Sequence, residues 1–178
     1  MANLGLVQVY TGDGKGKTTA SLGLAFRACG HGFQVCMIQF MKDNTEYGEF
    51  KSSINFPGLT LLQVGRNDFV NLKNPEEIDK KLAQDGWNKA KNAISSGKYD
   101  IVILDEINVA IACKILDVHS VVSFLTEDRM TLPKIPEIIL TGRYAPPEII
   151  NIAHLVTEMK EIRHNYSTEM ESRQGIEF

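Results

Sequence analysis

The sequence predicts a three-layer α/β fold on a mainly parallel sheet, and three observations carry that expectation. Strand-like stretches alternate with helical patterns along the chain; the strand-like stretches are mostly continuously apolar; and a glycine-rich turn joins the first of them to a helix. Continuous apolar runs suit strands covered by helices on both faces. Alternating strands and helices build a parallel sheet whose ligands sit at the carboxyl ends of its strands.

The expected strands are LVQVY (6–10), QVCMIQFM (34–41), LTLLQV (59–64), DIVILD (100–105), EIILT (137–141) and HLVTEM (154–159). Residues 17–30 place Leu22, Ala25, Phe26 and Cys29 on one helical face. Residues 76–96 repeat Ile78, Leu82, Gly86, Ala90 and Ile94 at four-residue spacing. Residues 118–125 carry Val118, Val121, Val122 and Leu125 behind Asp117, a residue suited to cap the start. Pro146-Pro147 fits the first turn of a short helix through Ile149, Ile150 and Ala153. The polar tail from Glu161 to Phe178 has no assignable pattern.

A chain of 178 residues suits one domain, 1–178. Its 19 basic and 22 acidic residues give a net charge of −3, which speaks against nucleic acid as the partner. No apolar run approaches the ~18–20 residues of a membrane span, and MANLGLVQVY is neither a signal nor a transit peptide. Cys29, Cys36 and Cys113 are odd in number and scattered, as expected of reduced thiols in a cytoplasmic protein. His31, His119, His154 and His164 share no metal-ligand spacing.

Residues 11–20, TGDGKGKTTA, carry the chemistry. A standard phosphate loop, G-x-x-x-x-G-K-[ST], has four residues between its glycines. Here only Asp13-Gly14-Lys15 separate Gly12 from Gly16. Strand, glycine turn, GKTT and helix remain in register, so the segment reads as a phosphate cradle in a P-loop nucleotide hydrolase-like (RecA-like) fold. Glycines let backbone N–H groups converge on phosphate oxygens. Lys17 stands at the helix N-terminus, where its charge and the helix dipole both favour anions. The Thr18 hydroxyl is placed for Mg²⁺, and Thr19 follows it. Asp13 is a carboxylate in an anion-binding loop, with Lys15 as a compensating charge. DIVILDE (100–106) delivers two acids at a strand end, where one can hold Mg²⁺; the pattern leaves Asp105 and Glu106 both open. Arg143, in ILTGR, could reach a phosphate or be an ordinary surface arginine, and Arg27 could simply face solvent. No nucleophile pair is visible.

Together these residues resemble the P-loop type of ATP:corrinoid (cob(I)alamin) adenosyltransferase. The resemblance rests on TGDGKGKTTASLGLAFRACGHG, QF (39–40), YGE (47–49), YDIVILDEI, TGR (141–143) with APPEIINIAHLVTEM, and RQGIEF, in order along nearly the whole chain. It implies transfer of the 5′-deoxyadenosyl group of ATP to the Co(I) of a reduced corrinoid, releasing triphosphate, with ATP lying reversed in the shortened loop. The acceptor would be cobalamin or an earlier corrinoid such as the a,c-diamide. By resemblance, Gly12 through Thr19 form the cradle, Lys17 neutralises phosphate, Thr18 and Glu106 bind Mg²⁺, and Arg27 contacts the nucleotide. Asp13 stands where relatives commonly carry Asn. Phe69, in GRNDFVNLKNPEE (65–77), would press on the lower face of the corrin, although a core-anchoring loop phenylalanine is the other reading; a tryptophan of some relatives is Asn71 here. With the first strand starting near Leu6, a helical N-terminal cover found in some relatives is expected to be absent. A homodimer and a reducing partner such as a flavoprotein are implied too. The competing classes are a small P-loop kinase of a nucleoside or metabolite and a regulatory P-loop ATPase.

Overall fold

Six strands form one sheet in the computed structural model, which describes residues 5–68, 70–163 and 173–176. The strands are β1 (Val7–Thr11), β2 (Val35–Phe40), β3 (Leu59–Val64), β4 (Ile101–Asp105), β5 (Glu137–Thr141) and β6 (Leu155–Glu158). Their order is β3-β2-β4-β5-β1-β6, and every pairing is parallel. The helices between them are α1 (Lys17–Gly30), α2 (Gly48–Ser53), α3 (Glu77–Ser95), α4 (Ile107–Ala112), α5 (Val118–Thr126) and α6 (Pro147–Ile152).

Side chains alternate across each strand, so one strand feeds two cores. Cys36, Ile38 and Phe40 of β2 join Val102, Leu104, Ile138 and Leu140 beneath α3 to α6. Val35, Met37, Ile103 and Ile139 face the other way, against Ala25 and Ala28 of α1. This is the expected three-layer arrangement. The four inner strands fit the expectation of cover on both faces best, with β2, β4 and β5 buried throughout. The edges depart from it: β6 is exposed along its length and β3 is only partly buried. A parallel edge strand has one neighbour, so less of it is covered than of a strand in the middle of the sheet.

Two helix faces differ from the spacing reading. Phe26 is 65% exposed and meets Phe56 edge-on at 5.5 Å, instead of entering the core with Ala25. The buried stripe of α3 runs through Asp79, Ala83, Gly86, Trp87, Ala90 and Ile94, leaving Ile78 exposed. Trp87 shifts that stripe: it is fully buried, packs against Phe124 at 5.5 Å and donates to Ser120 Oγ at 3.1 Å. Asp117 caps α5 as expected, accepting from the Ser120 N–H at 2.9 Å.

Gly86 is where α3 comes closest to the sheet. A Cβ there would lie 2.6 Å from Val64 Cγ2 and 3.0 Å from Phe40. Gly86→Ala is therefore expected to destabilise the fold by about 1–3 kcal/mol, the range for overpacking a core. Urea unfolding followed by circular dichroism checks this; an unchanged midpoint would contradict the packing described.

Candidate active site

Parallel strands place all their carboxyl ends on one edge of the sheet, and the chain turns there gather around a cleft of about 650 Å³. Three non-glycine residues at this edge hold left-handed backbone: Met41 (φ 57°) after β2, Glu106 (φ 63°) after β4 and Tyr144 (φ 61°) beyond β5. Such conformations cost on the order of 1 kcal/mol or more and cluster at functional sites. All three line the cleft.

The phosphate loop occupies the end of β1. Gly12 (φ 93°) and Gly16 (φ 119°) adopt backbone that glycine alone enters freely. A Cβ on Gly12 or Gly14 would come within 2.5 or 2.7 Å of the Met159 carbonyl oxygen. Gly14 N–H donates to that oxygen at 2.7 Å, and Met159 N–H donates to Thr11 at 2.8 Å. The loop, one residue short, thus lies flat against the chain leaving β6. Lys17 is buried, and its ammonium donates to the carbonyls of Gly12 at 2.6 Å and Gly14 at 2.7 Å. Burial pulls its pKa below the usual lysine value, while Glu106 acts in the opposite direction. Lys15 and Thr19 are exposed and line the cleft. Asp13 is exposed and outside that lining, which is how an anion-binding loop tolerates a carboxylate. The described end of the tail also arrives here, where Ile176 O accepts from Lys15 Nζ at 3.2 Å.

The two acids that end DIVILDE, Asp105 and Glu106, separate sharply. Asp105 is fully buried and saturated with donors. Its Oδ1 accepts from Thr18 Oγ1 at 2.9 Å and Thr141 Oγ1 at 2.6 Å; its Oδ2 accepts from Lys42 Nζ at 3.0 Å and Gln39 Nε2 at 3.2 Å. Gln39 is itself fixed, donating to Glu49 at 3.1 Å and accepting from Gln63 at 3.1 Å. Glu106 turns the other way, into the cleft. Its N–H is held by Thr141 Oγ1 at 3.1 Å. Burial, and then the charge of Asp105, push its carboxyl above the usual glutamate range. A buried carboxylate raised in this way is poised for a cation or a proton.

Hard oxygen donors suit Mg²⁺, which usually takes one or two carboxylates and completes its shell from phosphates and water. Thr18 and Glu106 offer that kind of set. Among the described residues no three acidic, histidine or cysteine side chains cluster to hold an ion.

The other expected residues lie both inside and outside the cleft. Arg143 lines the cleft and its charge reaches both Lys17 and Glu106. Arg27 lies ten residues past Lys17, about 15 Å along the helix axis. It is exposed, lines a separate hollow with His31 and Phe33, and does not line the main cleft. Phe69 lies outside the described residues. The cleft wall also holds Tyr47 of YGE and Arg66, Asn67, Asp68, Val70 and Leu72 of the segment 65–77, together with Lys42, Asn44 and Tyr144, which no quoted motif contains. The signal for Gln39 was present, since a polar residue inside the apolar run VCMIQF needs a buried partner.

Comparison with known proteins places the chain. A sequence model of the family "ATP:corrinoid adenosyltransferase BtuR/CobO/CobP" matches residues 3–178. A corrinoid adenosyltransferase of Sinorhizobium sp is 36% identical over 98% of this chain and 80% of its own length. The corrinoid adenosyltransferase of Escherichia coli strain K12 is 32% identical over 98% of this chain and 86% of its own. Among solved structures, the ATPase EscN of the enteropathogenic E. coli type III secretion system superposes with a TM-score of 0.59 at 16% identity, covering 90% of this chain and 43% of that one. That likeness speaks to the fold alone, and it agrees with the RecA-like expectation. With a phosphate loop, a carboxylate pair and a full-length family match converging, the chain belongs to the ATP:corrinoid adenosyltransferase family.

Proposed function

We propose that this protein transfers the 5′-deoxyadenosyl group of ATP to the Co(I) of a reduced corrinoid and releases triphosphate. The observation that carries the reading is the shape of the cleft: one cavity joins the phosphate loop to Arg66, Asn67, Asp68, Val70 and Leu72 after β3, so a second substrate can lie beside the nucleotide.

Co(I) is itself a strong nucleophile. Its electron pair forms the bond to the ribose C5′, and the C5′–O bond breaks with its pair leaving on triphosphate. No proton leaves the nucleophile, so no general base is required. The chain's own residues then have two tasks, positioning and charge stabilisation. Gly14 to Thr19 seat the phosphates, and Lys17 and Arg143 bring positive charge to them. Thr18 and Glu106 would hold Mg²⁺, which when bound offsets further charge on the leaving group. Asp105, with both oxygens occupied, would act through Thr18 by fixing its hydroxyl. The segment after β3 would face the corrin. On the family reading the enzyme works in the cytoplasm as a homodimer beside a reducing protein such as a flavoprotein.

The direct test mixes protein, ATP, Mg²⁺ and chemically reduced cobalamin under anaerobic conditions and follows the corrin absorption. A light-sensitive alkyl-cobalt spectrum is expected. Its absence, with the protein folded and ATP bound, would overturn the reading.

A further inference from the structure

Lys42 is a partly buried cation at the site, with no role in the proposed transfer. It follows Met41, whose left-handed φ of 57° turns the chain off the end of β2. Its ammonium lies 3.0 Å from Asp105 Oδ2 and 3.8 Å from Glu49 Oε1, with a fifth of the side chain exposed. Burial works to lower its pKa, but Asp105 and Glu49 outweigh that and keep it charged. The side chain stands on the wall shared by the main cleft and an adjoining hollow floored by Leu22, Phe26 and Phe56, so it faces ligand space on two sides.

Two features separate Lys42 from a simple structural ion pair. Asp105 keeps three donors without it, from Thr18, Thr141 and Gln39, so release of the ammonium leaves no oxygen of that carboxylate unpaired. The shortened loop, meanwhile, is poor in donors. It lacks one residue, the Gly14 N–H is spent on Met159, and Lys17 is shared with two loop carbonyls. A triphosphate carries one more negative charge as a free leaving group than as an ester. The site therefore needs added positive charge as the C5′–O bond breaks, and electrostatic stabilisation of developing charge is commonly the largest catalytic contribution.

We infer that Lys42 is a phosphate ligand: when nucleotide enters, its ammonium moves from Asp105 to the triphosphate and stays with it through departure. The bonding changes are those already given, a Co–C5′ bond formed and a C5′–O bond broken, and Lys42 neither gains nor loses a proton. The inference rests on the triphosphate-releasing reading, but its test does not need the corrinoid.

Binding of inorganic tripolyphosphate by calorimetry is the probe, on wild type, Lys42→Met, Asp105→Asn and the double variant. Lys42→Met should weaken tripolyphosphate binding by about 10–100-fold, the loss expected for one hydrogen bond to a charged group. Asp105→Asn removes the carboxylate that Lys42 balances, so the double variant tests the ligand role even if Lys42→Met alone folds poorly. Relative to Asp105→Asn, the double variant should lose a similar factor. Tripolyphosphate binding unchanged by Lys42→Met in the Asp105→Asn background would overturn the inference and leave Lys42 as the structural counter-ion of Asp105. Failure of the wild type to bind tripolyphosphate would overturn it as well. If Lys42→Met loses affinity while the wild type makes no alkyl-cobalt product, the inference stands and the transferase reading falls.

Discussion

Lys17→Ala is expected to lower kcat/KM for adenosyl transfer by at least about 10²–10³-fold, the cost of removing one preorganised charge-stabilising donor. Two losses combine. The phosphates lose a buried ammonium, and the carbonyls of Gly12 and Gly14 lose the donor that holds them at 2.6 and 2.7 Å. A loop already one residue short then has little to fix its shape, so ATP affinity should fall together with kcat. Steady-state kinetics with Co(I) cobalamin and direct ATP titration measure the two effects. Near-normal turnover in the variant would remove Lys17 from the proposed mechanism.

Glu106→Gln is expected to separate stability from activity. The folded protein holds this carboxyl above the ordinary value of 4.5 because burial and Asp105 disfavour its charge. The sign follows from linkage. A carboxyl with a raised folded pKa binds protons more readily folded than unfolded, so stability falls as pH rises from the ordinary value through the folded one. Above the folded value, in the absence of divalent cations, that cost is fully present. Glu106→Gln removes it, so the variant should melt at a higher temperature than wild type, and the gain should shrink toward pH 4.5. The same change deletes a proposed Mg²⁺ ligand, and the Mg²⁺ requirement should rise by at least about 10–100-fold, the usual cost of disturbing even an outer-shell partner. A variant that melts lower at neutral pH, or keeps its Mg²⁺ dependence, would contradict the role assigned to Glu106.

These expectations show where the sequence was informative. Six apolar runs predicted six strands, and each formed within a residue or two of its expected bounds; the inner strands could not hide, because a strand covered on both faces must be apolar. Shorter elements left no such trace. Ile107–Ala112 is apolar and almost wholly buried, so it lacks an amphipathic stripe and reads as a continuation of β4. What ends that strand is the left-handed turn at Glu106, which the letters do not display. Gly48–Ser53 buries none of its residues and carries no apolar stripe. Helix faces were legible where small residues line them and misread at Phe26, whose ring finds Phe56 across the surface.

The site divides in the same way. Gly12 to Thr19 and DIVILDE were readable because local spacing specifies their geometry. Lys42, Gln39, Glu49 and Thr141 come from separate elements and meet only when the strands align, as when Gln39 pairs in register with Asp105. The choice between Asp105 and Glu106 depended on those long-range donors, because they occupy both oxygens of one acid and leave the other facing the cleft.

On the proposed mechanism the bond broken is at C5′ and triphosphate leaves whole. Phosphorus NMR of the products, with one equivalent of Co(I) cobalamin consumed anaerobically, distinguishes this from phosphoryl transfer. One tripolyphosphate is expected for each alkyl-cobalt formed, with no ADP. Formation of ADP, with or without free phosphate and with the corrin spectrum unchanged, would contradict it.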